Sequence, residues 1–132
     1  ARYQKLCWNI PFNGLCVLEG GVTTDKIMRN PRLRAKAESL MNEVIAIANA
    51  DLSTVAASTA IALDDTVVEQ MMTMTAAMVD YRPSTMIDFV EGREMEIDAI
   101  FSRPLQRGRE LGVQCDELAS LTRELIELDS RK

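Results

Sequence analysis

The chain has 132 residues, of which 47% are hydrophobic and 27% charged, as expected for one globular domain. A formal net charge of −5 disfavours nucleic acid and anionic membranes as main partners. Three cysteines with no C-x-x-C spacing, and no histidine, make a zinc site improbable, so we expect no metal and free buried thiols in a reducing cytoplasm. No apolar run is long enough for a membrane span. The opening residues look like a cut made inside a longer protein.

The first predicted helix, 3–18, is apolar on nearly every side and should therefore be buried. Within it, Lys5, Asn9 and Asn13 are spaced four residues apart, which places them on one face of a helix. Polar groups buried in this way need partners, because an unpaired one costs about 1–3 kcal/mol. We therefore interpret this polar ridge as the floor of a site. Pro11 should kink the helix, either as a simple packing bend or to free a carbonyl beside the ridge.

The later patterns also predict helices, so the fold class is all-α. Residues 51–63 are ambiguous between helix and loop. The predicted helices are a short turn from Thr23 to Met28, a helix over 31–50 capped by Asn30, one from Asp65 to about Val79, a short one from Ser84 to Gly92, one over 94–111 kinked at Pro104, and a last one over 115–128.

The helix after Asp65 is rich in methionine, with Met71, Met72, Met74 and Met78. Such a malleable apolar surface can pack in a core or serve as a promiscuous interface, and we expect core packing. The interface reading supports an alternative function, in which the chain is a helical dimerisation or interaction module without chemistry. A helical DNA-binding domain is a third possibility, disfavoured by the acidic composition.

Lys5 is the first candidate for chemistry. Desolvated by the apolar residues around it, its ammonium could act as a general acid or as a hydrogen-bond donor to a carbonyl oxygen. The alternative is a lysine that reaches solvent near the chain end, with Asn9 and Asn13 in interhelical hydrogen bonds.

Ser84 and one acidic residue near position 96 are the other candidates. Ser84 follows a proline at a predicted helix start, where a hydroxyl and free N–H groups could seat a carboxylate, although an ordinary N-cap is the simpler reading. Glu96 lies in the first turn of the next predicted helix, but the residues alone do not favour it over Glu94.

Two stretches, KLCWNIPFN at 5–13 and YRPSTMIDFVEGREMEIDAIFSRPL at 81–105, resemble the C-terminal domain of ketopantoate reductase (2-dehydropantoate 2-reductase). They carry the motifs K-x3-N-x3-N and S-x3-D-x4-R-x2-E-[IV]-[DE]. The resemblance implies an all-helical bundle like the C-terminal domain of 6-phosphogluconate dehydrogenase. It also implies a partner Rossmann domain that binds NADPH, and a 2-keto acid held in the cleft between the two domains. The reaction would be hydride transfer to 2-dehydropantoate on the pathway to pantothenate and coenzyme A.

The resemblance assigns a role to each candidate. Lys5 matches the lysine that protonates or polarises the keto oxygen, while Asn9 and Asn13 match asparagines that position it and the substrate hydroxyl. Ser84 matches the serine that binds the substrate carboxylate. Glu96 matches the glutamate that contacts cofactor and substrate and supports the acid–base step. The isolated domain should be inactive, and the full-length protein could be a homodimer. Thr23 stands where many members have an asparagine, which leaves the keto acid open.

Overall fold

The computed structural model describes residues 2–52, 65–78 and 81–131. These ranges contain helices and connecting turns but no strand, so the all-α prediction is confirmed. None of the helices in them is both long enough and apolar enough to cross a membrane. The elements are α1 (Arg2–Leu18), α2 (Thr24–Arg29), α3 (Pro31–Leu52), α4 (Asp65–Ala76), α5 (Ser84–Val90), a π-helical segment (Asp98–Ser102), α6 (Arg103–Glu110) and α7 (Asp116–Asp129).

Helix α1 lies at the centre of the bundle, in contact with α2, α3, α5, α7 and the π-helical segment. Its side chains are buried on several faces from Cys7 onward, and Ile10, Phe12, Cys16 and Val17 are fully inaccessible to solvent. The helix continues through Pro11 to Leu18. The prediction of a buried first helix is therefore confirmed from Cys7 onward, whereas Lys5 is exposed.

Helix α3 begins where the sequence predicts, because Asn30 caps it. The Asn30 Oδ1 accepts the backbone N–H groups of Arg32 and Leu33 at 3.0 and 3.2 Å. These bonds satisfy two of the amide groups that a helix start leaves without an intrahelical acceptor. One side of α3 is buried in the core: Leu33, Ala37, Leu40, Met41, Val44, Ile45, Ile47 and Ala48.

A carboxylate of α3 caps the last helix, α7. The two carboxylate oxygens of Glu43 accept the backbone N–H groups of Glu117 and Leu118 at 2.9 and 2.8 Å. Cys115 holds the N-cap position of α7 but makes no side-chain capping bond. Burial raises the pKa of the Glu43 carboxyl, although both hydrogen bonds act in the opposite direction.

Helix α4 places its methionines mainly in the core. Met71 and Met72 are buried, while Met74 is 50% exposed. The core reading of the methionine cluster is thus confirmed for Met71 and Met72. Helix α4 ends at Ala76. The predicted end near Val79, and most of the ambiguous stretch 51–63, lie outside the described residues.

The predicted helix over 94–111 begins later than expected and contains a π turn. The Arg103 N–H donates to the Asp98 carbonyl, five residues back, and α6 follows from Arg103. Pro104 has no N–H for the Ile100 carbonyl, which accounts for irregular bonding at this point. Consequently the proline is accommodated by a wider turn within a continuous helical path.

Candidate functional site

The three residues of the polar ridge share one face of α1 as predicted, but they are not all buried. Lys5, Asn9 and Asn13 share a face because 2–18 is one helix. Asn13 is 1% exposed, Asn9 is half-buried and Lys5 is exposed. The prediction of a buried, desolvated Lys5 is wrong for this chain. Lys5 precedes Cys7, the first of the described α1 side chains that lies in the core, so the Lys5 side chain lies outside the packed part of the bundle.

Asn13 connects α1 to the start of α5. Its Oδ1 accepts the backbone N–H of Thr85 at 2.8 Å, and both residues are 1% exposed. Thr85 directly follows Ser84, so this bond brings Ser84 to the side of α1 that carries the ridge. Asn13 thereby has the interhelical partner that its burial requires.

Ser84 is the first residue of α5 and does not cap it. Pro83 holds the N-cap position in extended conformation, with its carbonyl accepting the Ile87 N–H at 3.0 Å. The prediction of Ser84 as the N-cap is therefore wrong, because the helix already begins at Ser84 and its N-cap is Pro83. Ser84 is exposed, and its hydroxyl makes no hydrogen bond to any described residue.

Glu96 lies before the helix, in an unusual backbone conformation. Its φ is +55°, the one positive value at a non-glycine position within 2–52, 65–78 and 81–131. Its neighbours Met95 and Ile97 are 1% and 7% exposed, so both are fixed in the core while Glu96 faces solvent. A left-handed residue other than glycine costs about 1–2 kcal/mol, and such outliers cluster at functional sites. The prediction that Glu96 lies in a first helical turn is wrong.

The structure connects two of the five predicted residues through a shared neighbour, and it shows neither of the charged ones paired with a described acid or base. Asn13 and Ser84 meet through Thr85, whereas neither Lys5 nor Glu96 forms an ion pair with any described residue. Both charged side chains are exposed. Each is thus available to a ligand or to another protein surface.

The sequence does not predict the contacts of the Trp8 indole. Trp8 lies between Lys5 and Asn9 in sequence. Its Nε1–H donates to the Thr75 Oγ1 at 2.9 Å, and its ring meets the ring of Tyr81 edge-on. The available signal was a single tryptophan inside the polar ridge motif. A bond to a residue 67 positions away has no local sequence signature.

Thr23 has an internal partner. Its hydroxyl donates to the Asp25 carboxylate, and this hydrogen bond holds the pKa of Asp25 below its usual value. Thr23 holds the N-cap position of α2, but its side chain makes no capping hydrogen bond.

The cysteines are free and buried, as predicted. Burial raises the pKa of the Cys7 and Cys16 thiols to about 12, and the negative charge of Asp25 adds to the effect at Cys16. Burial also raises the pKa of Cys115. Because the thiolate is the nucleophile, these groups are unsuited to covalent catalysis near neutral pH.

A cavity of about 360 Å³ opens beside the start of α1, between α6 and the end of α3. Arg107 and Asp51, which form an ion pair of 2.7 Å, line this cavity together with Leu6 and Pro104. None of Lys5, Asn9, Asn13, Ser84 and Glu96 lines this cavity. The predicted residues instead lie along α1 and at the start of α5, where Lys5 and Ser84 are exposed and Asn13 is buried.

Residues 1–129 match the family model described as the C-terminal domain of ketopantoate reductase PanE/ApbA. This chain belongs to the ketopantoate reductase family. It is 36% identical over 130 residues to a 2-dehydropantoate 2-reductase of Nostoc sp., covering 98% of this chain and 38% of the relative. The resemblance inferred from the two motifs is confirmed.

Solved structures agree with this assignment. A 2-dehydropantoate 2-reductase from Geobacter metallireducens superposes with a TM-score of 0.85 at 38% identity, covering 96% of this chain and 40% of that one. The enzyme of the same name from Methylococcus capsulatus gives 0.88 at 30% identity, covering 99% and 39%. The chain therefore spans about two fifths of the length of its relatives, and these neighbours share its helical fold.

Proposed function

We propose that this chain is the substrate-binding and catalytic domain of an NADPH-dependent 2-keto acid reductase that acts on 2-dehydropantoate on the pathway to coenzyme A. Family membership supports the reaction class. The single observation that carries the site is the Asn13–Thr85 bond, which joins the ridge of Lys5 and Asn9 to Ser84. Relatives named 2-dehydropantoate 2-reductase are more than twice as long as this chain, so we propose that a Rossmann domain completes the cleft.

Lys5 would act on the keto oxygen of the substrate. Hydride addition builds negative charge on that oxygen, which an ammonium can stabilise or protonate. Lys5 is exposed and has no acidic partner in the described part of the chain, so its charge is available. A second domain closing over this surface would exclude water and strengthen the interaction.

Asn9, Asn13 and Ser84 would position the substrate. The Thr85 N–H occupies the Asn13 Oδ1, so the NH₂ group of Asn13 would be the part of its side chain that donates to the substrate. Asn9 lies one turn closer to Lys5 and makes no side-chain hydrogen bond to a described residue, so its amide is free for the substrate hydroxyl. Ser84 offers an exposed hydroxyl to the substrate carboxylate.

Glu96 would contact both substrate and cofactor and support the proton transfer. Its left-handed backbone directs the side chain away from the core while Met95 and Ile97 remain packed. The energetic cost of that conformation is consistent with selection for an outward carboxylate at this position.

The chain's own residues do not fit a complete NADPH site. Its six glycines form no G-x-G-x-x-G, so the motif that seats the pyrophosphate must come from another part of the protein. NADPH would supply the hydride, and this domain would supply the residues that bind and orient the keto acid and deliver the proton.

The test is NADPH consumption by the full-length protein with 2-dehydropantoate and a panel of other 2-keto acids. We expect 2-dehydropantoate to support the highest kcat/KM and to yield the 2-hydroxy acid. A protein that binds NADPH but turns over none of the keto acids would refute the proposed reaction. Preference for another 2-keto acid would keep the reaction class and correct the substrate.

The alternative of a pure interaction module is not supported by the methionines that suggested it. Met71 and Met72 are committed to the core, and Met74 is left as a single exposed methionine on α4. An isolated exposed apolar residue is ordinary on a protein surface.

A further inference from the structure

Trp8 is held rigidly although it is only half-buried. Its indole N–H donates to the Thr75 hydroxyl at 2.9 Å, and that hydroxyl donates to the Met71 carbonyl at 2.6 Å. The ring also stacks on Phe12, with centroids 5.2 Å apart and planes 28° from parallel. A hydrogen bond to α4 and a stacked ring beneath it therefore fix the orientation of the partly exposed indole.

Tyr81 completes an aromatic corner with Trp8. The two ring centroids are 5.7 Å apart and the planes meet at 80°. Tyr81 is 44% exposed, and its carbonyl accepts the Thr24 N–H at 3.1 Å, which ties its backbone to α2. The two rings thus meet nearly at right angles at the partly exposed side of Trp8, and Trp8 is anchored to α4 while Tyr81 is anchored to α2. We call the pair Trp8 and Tyr81 the aromatic corner.

The aromatic corner lies beside the proposed substrate residues. Trp8 is three positions after Lys5, and Tyr81 is three positions before Ser84. Tyr81 contacts Trp8 while Thr85 bonds to Asn13, so the stretch from 81 to 85 runs alongside α1 in the same direction. In a molecule bound to both Lys5 and Ser84, the part that contacts neither residue would therefore lie next to the aromatic corner.

We propose that the aromatic corner binds the side chain of the 2-keto acid and selects branched or aromatic side chains over small ones. This inference rests on the proposed function. The keto oxygen, the carboxylate and, in 2-dehydropantoate, the hydroxyl are the polar parts of such a substrate, and Lys5, Ser84 and Asn9 account for them. The remaining part is apolar, and fixed aromatic faces bind apolar groups with little loss of conformational entropy.

The test compares two substrates, 3-methyl-2-oxobutanoate and pyruvate, which differ only in the bulk of the side chain. Loss of contact with the added methyl groups is worth roughly tenfold or more in discrimination. In the full-length protein we expect Trp8→Ala and Tyr81→Ala each to lower the ratio of kcat/KM for the branched over the small keto acid by about tenfold, mainly through KM.

Two further variants separate selection from folding. Tyr81→Phe keeps the ring and should leave the ratio within about twofold. Thr75→Val removes the acceptor that fixes the indole, and should lower the same ratio without removing either ring. If both alanine variants lowered the two kcat/KM values equally, the corner would be purely structural and the inference wrong, with the reductase function intact. A wild type that reduced neither substrate nor 2-dehydropantoate would refute the proposed function and this inference together.

Discussion

Replacing Asn13 by alanine tests the bond that assembles the candidate site. The Asn13 Oδ1 accepts the Thr85 N–H at 2.8 Å, and both residues are 1% exposed. Asn13→Ala leaves that N–H buried without an acceptor, which costs about 1–3 kcal/mol. The lost side-chain volume adds a cavity contribution, so we expect a total loss of about 2–4 kcal/mol in the free energy of unfolding.

The matched control is Asn9→Ala, the same substitution one turn earlier on the same face. Asn9 is half-buried and its side chain bonds to no described residue, so we expect a loss below about 1 kcal/mol. Urea denaturation of the full-length protein measures both, using the transition that unfolds the helical domain. Free energies of unfolding within about 0.5 kcal/mol of each other would refute the reasoning. Exchange of the Thr85 amide hydrogen should also accelerate in Asn13→Ala but not in the control.

Three further predictions concern the core and its ionisable groups. Burial raises the pKa of Glu43, so the stabilisation from this carboxyl is fully present below pH 4.5, the unfolded value, and is lost as pH rises through the folded pKa. Glu43→Gln should therefore reduce the decline in the free energy of unfolding with rising pH, measured by denaturation across pH. The same substitution at the exposed Glu38 should leave that decline unchanged. With the pKa of Cys7 and Cys16 at about 12, a thiol reagent should label native protein far more slowly than unfolded protein at neutral pH, and equal rates would contradict their burial. Gly108→Ala would place a Cβ 2.8 Å from the Ile47 side chain, so we expect a loss of about 1–3 kcal/mol in thermal or urea unfolding, and unchanged stability would refute the close packing there.

The helices could be predicted because their signals are local. The buried stretch of α1 follows from apolar residues on several faces, and the start of α3 follows from Asn30 before Pro31. Both depend on residues within one turn of each other. By contrast, the cap of α7 comes from Glu43, whose bonds to Glu117 and Leu118 span more than seventy positions. No local pattern distinguishes that carboxylate from the exposed Glu38 on the same helix.

The sequence patterns name candidate residues for the site, but they do not give its geometry. Helical spacing placed Lys5 and Asn13 on one face, but it could not show where the packed core begins along α1, so the burial of Lys5 was misjudged. The resemblance singles out Glu96, whereas its left-handed backbone, between the buried Met95 and Ile97, has no signature in the motif. Burial and backbone strain depend on tertiary packing, which periodicity alone does not encode.

The most direct test of the account is the steady-state kinetics of Lys5→Ala in the full-length protein, with 2-dehydropantoate and NADPH. Lys26→Ala, which removes another exposed lysine in α2, is the control. We predict that Lys5→Ala lowers kcat by on the order of a hundredfold or more while the Kd for NADPH changes less than about threefold, and that the control retains wild-type turnover. Turnover by Lys5→Ala within about threefold of wild type would contradict the assignment of the proton-donating role to this ridge.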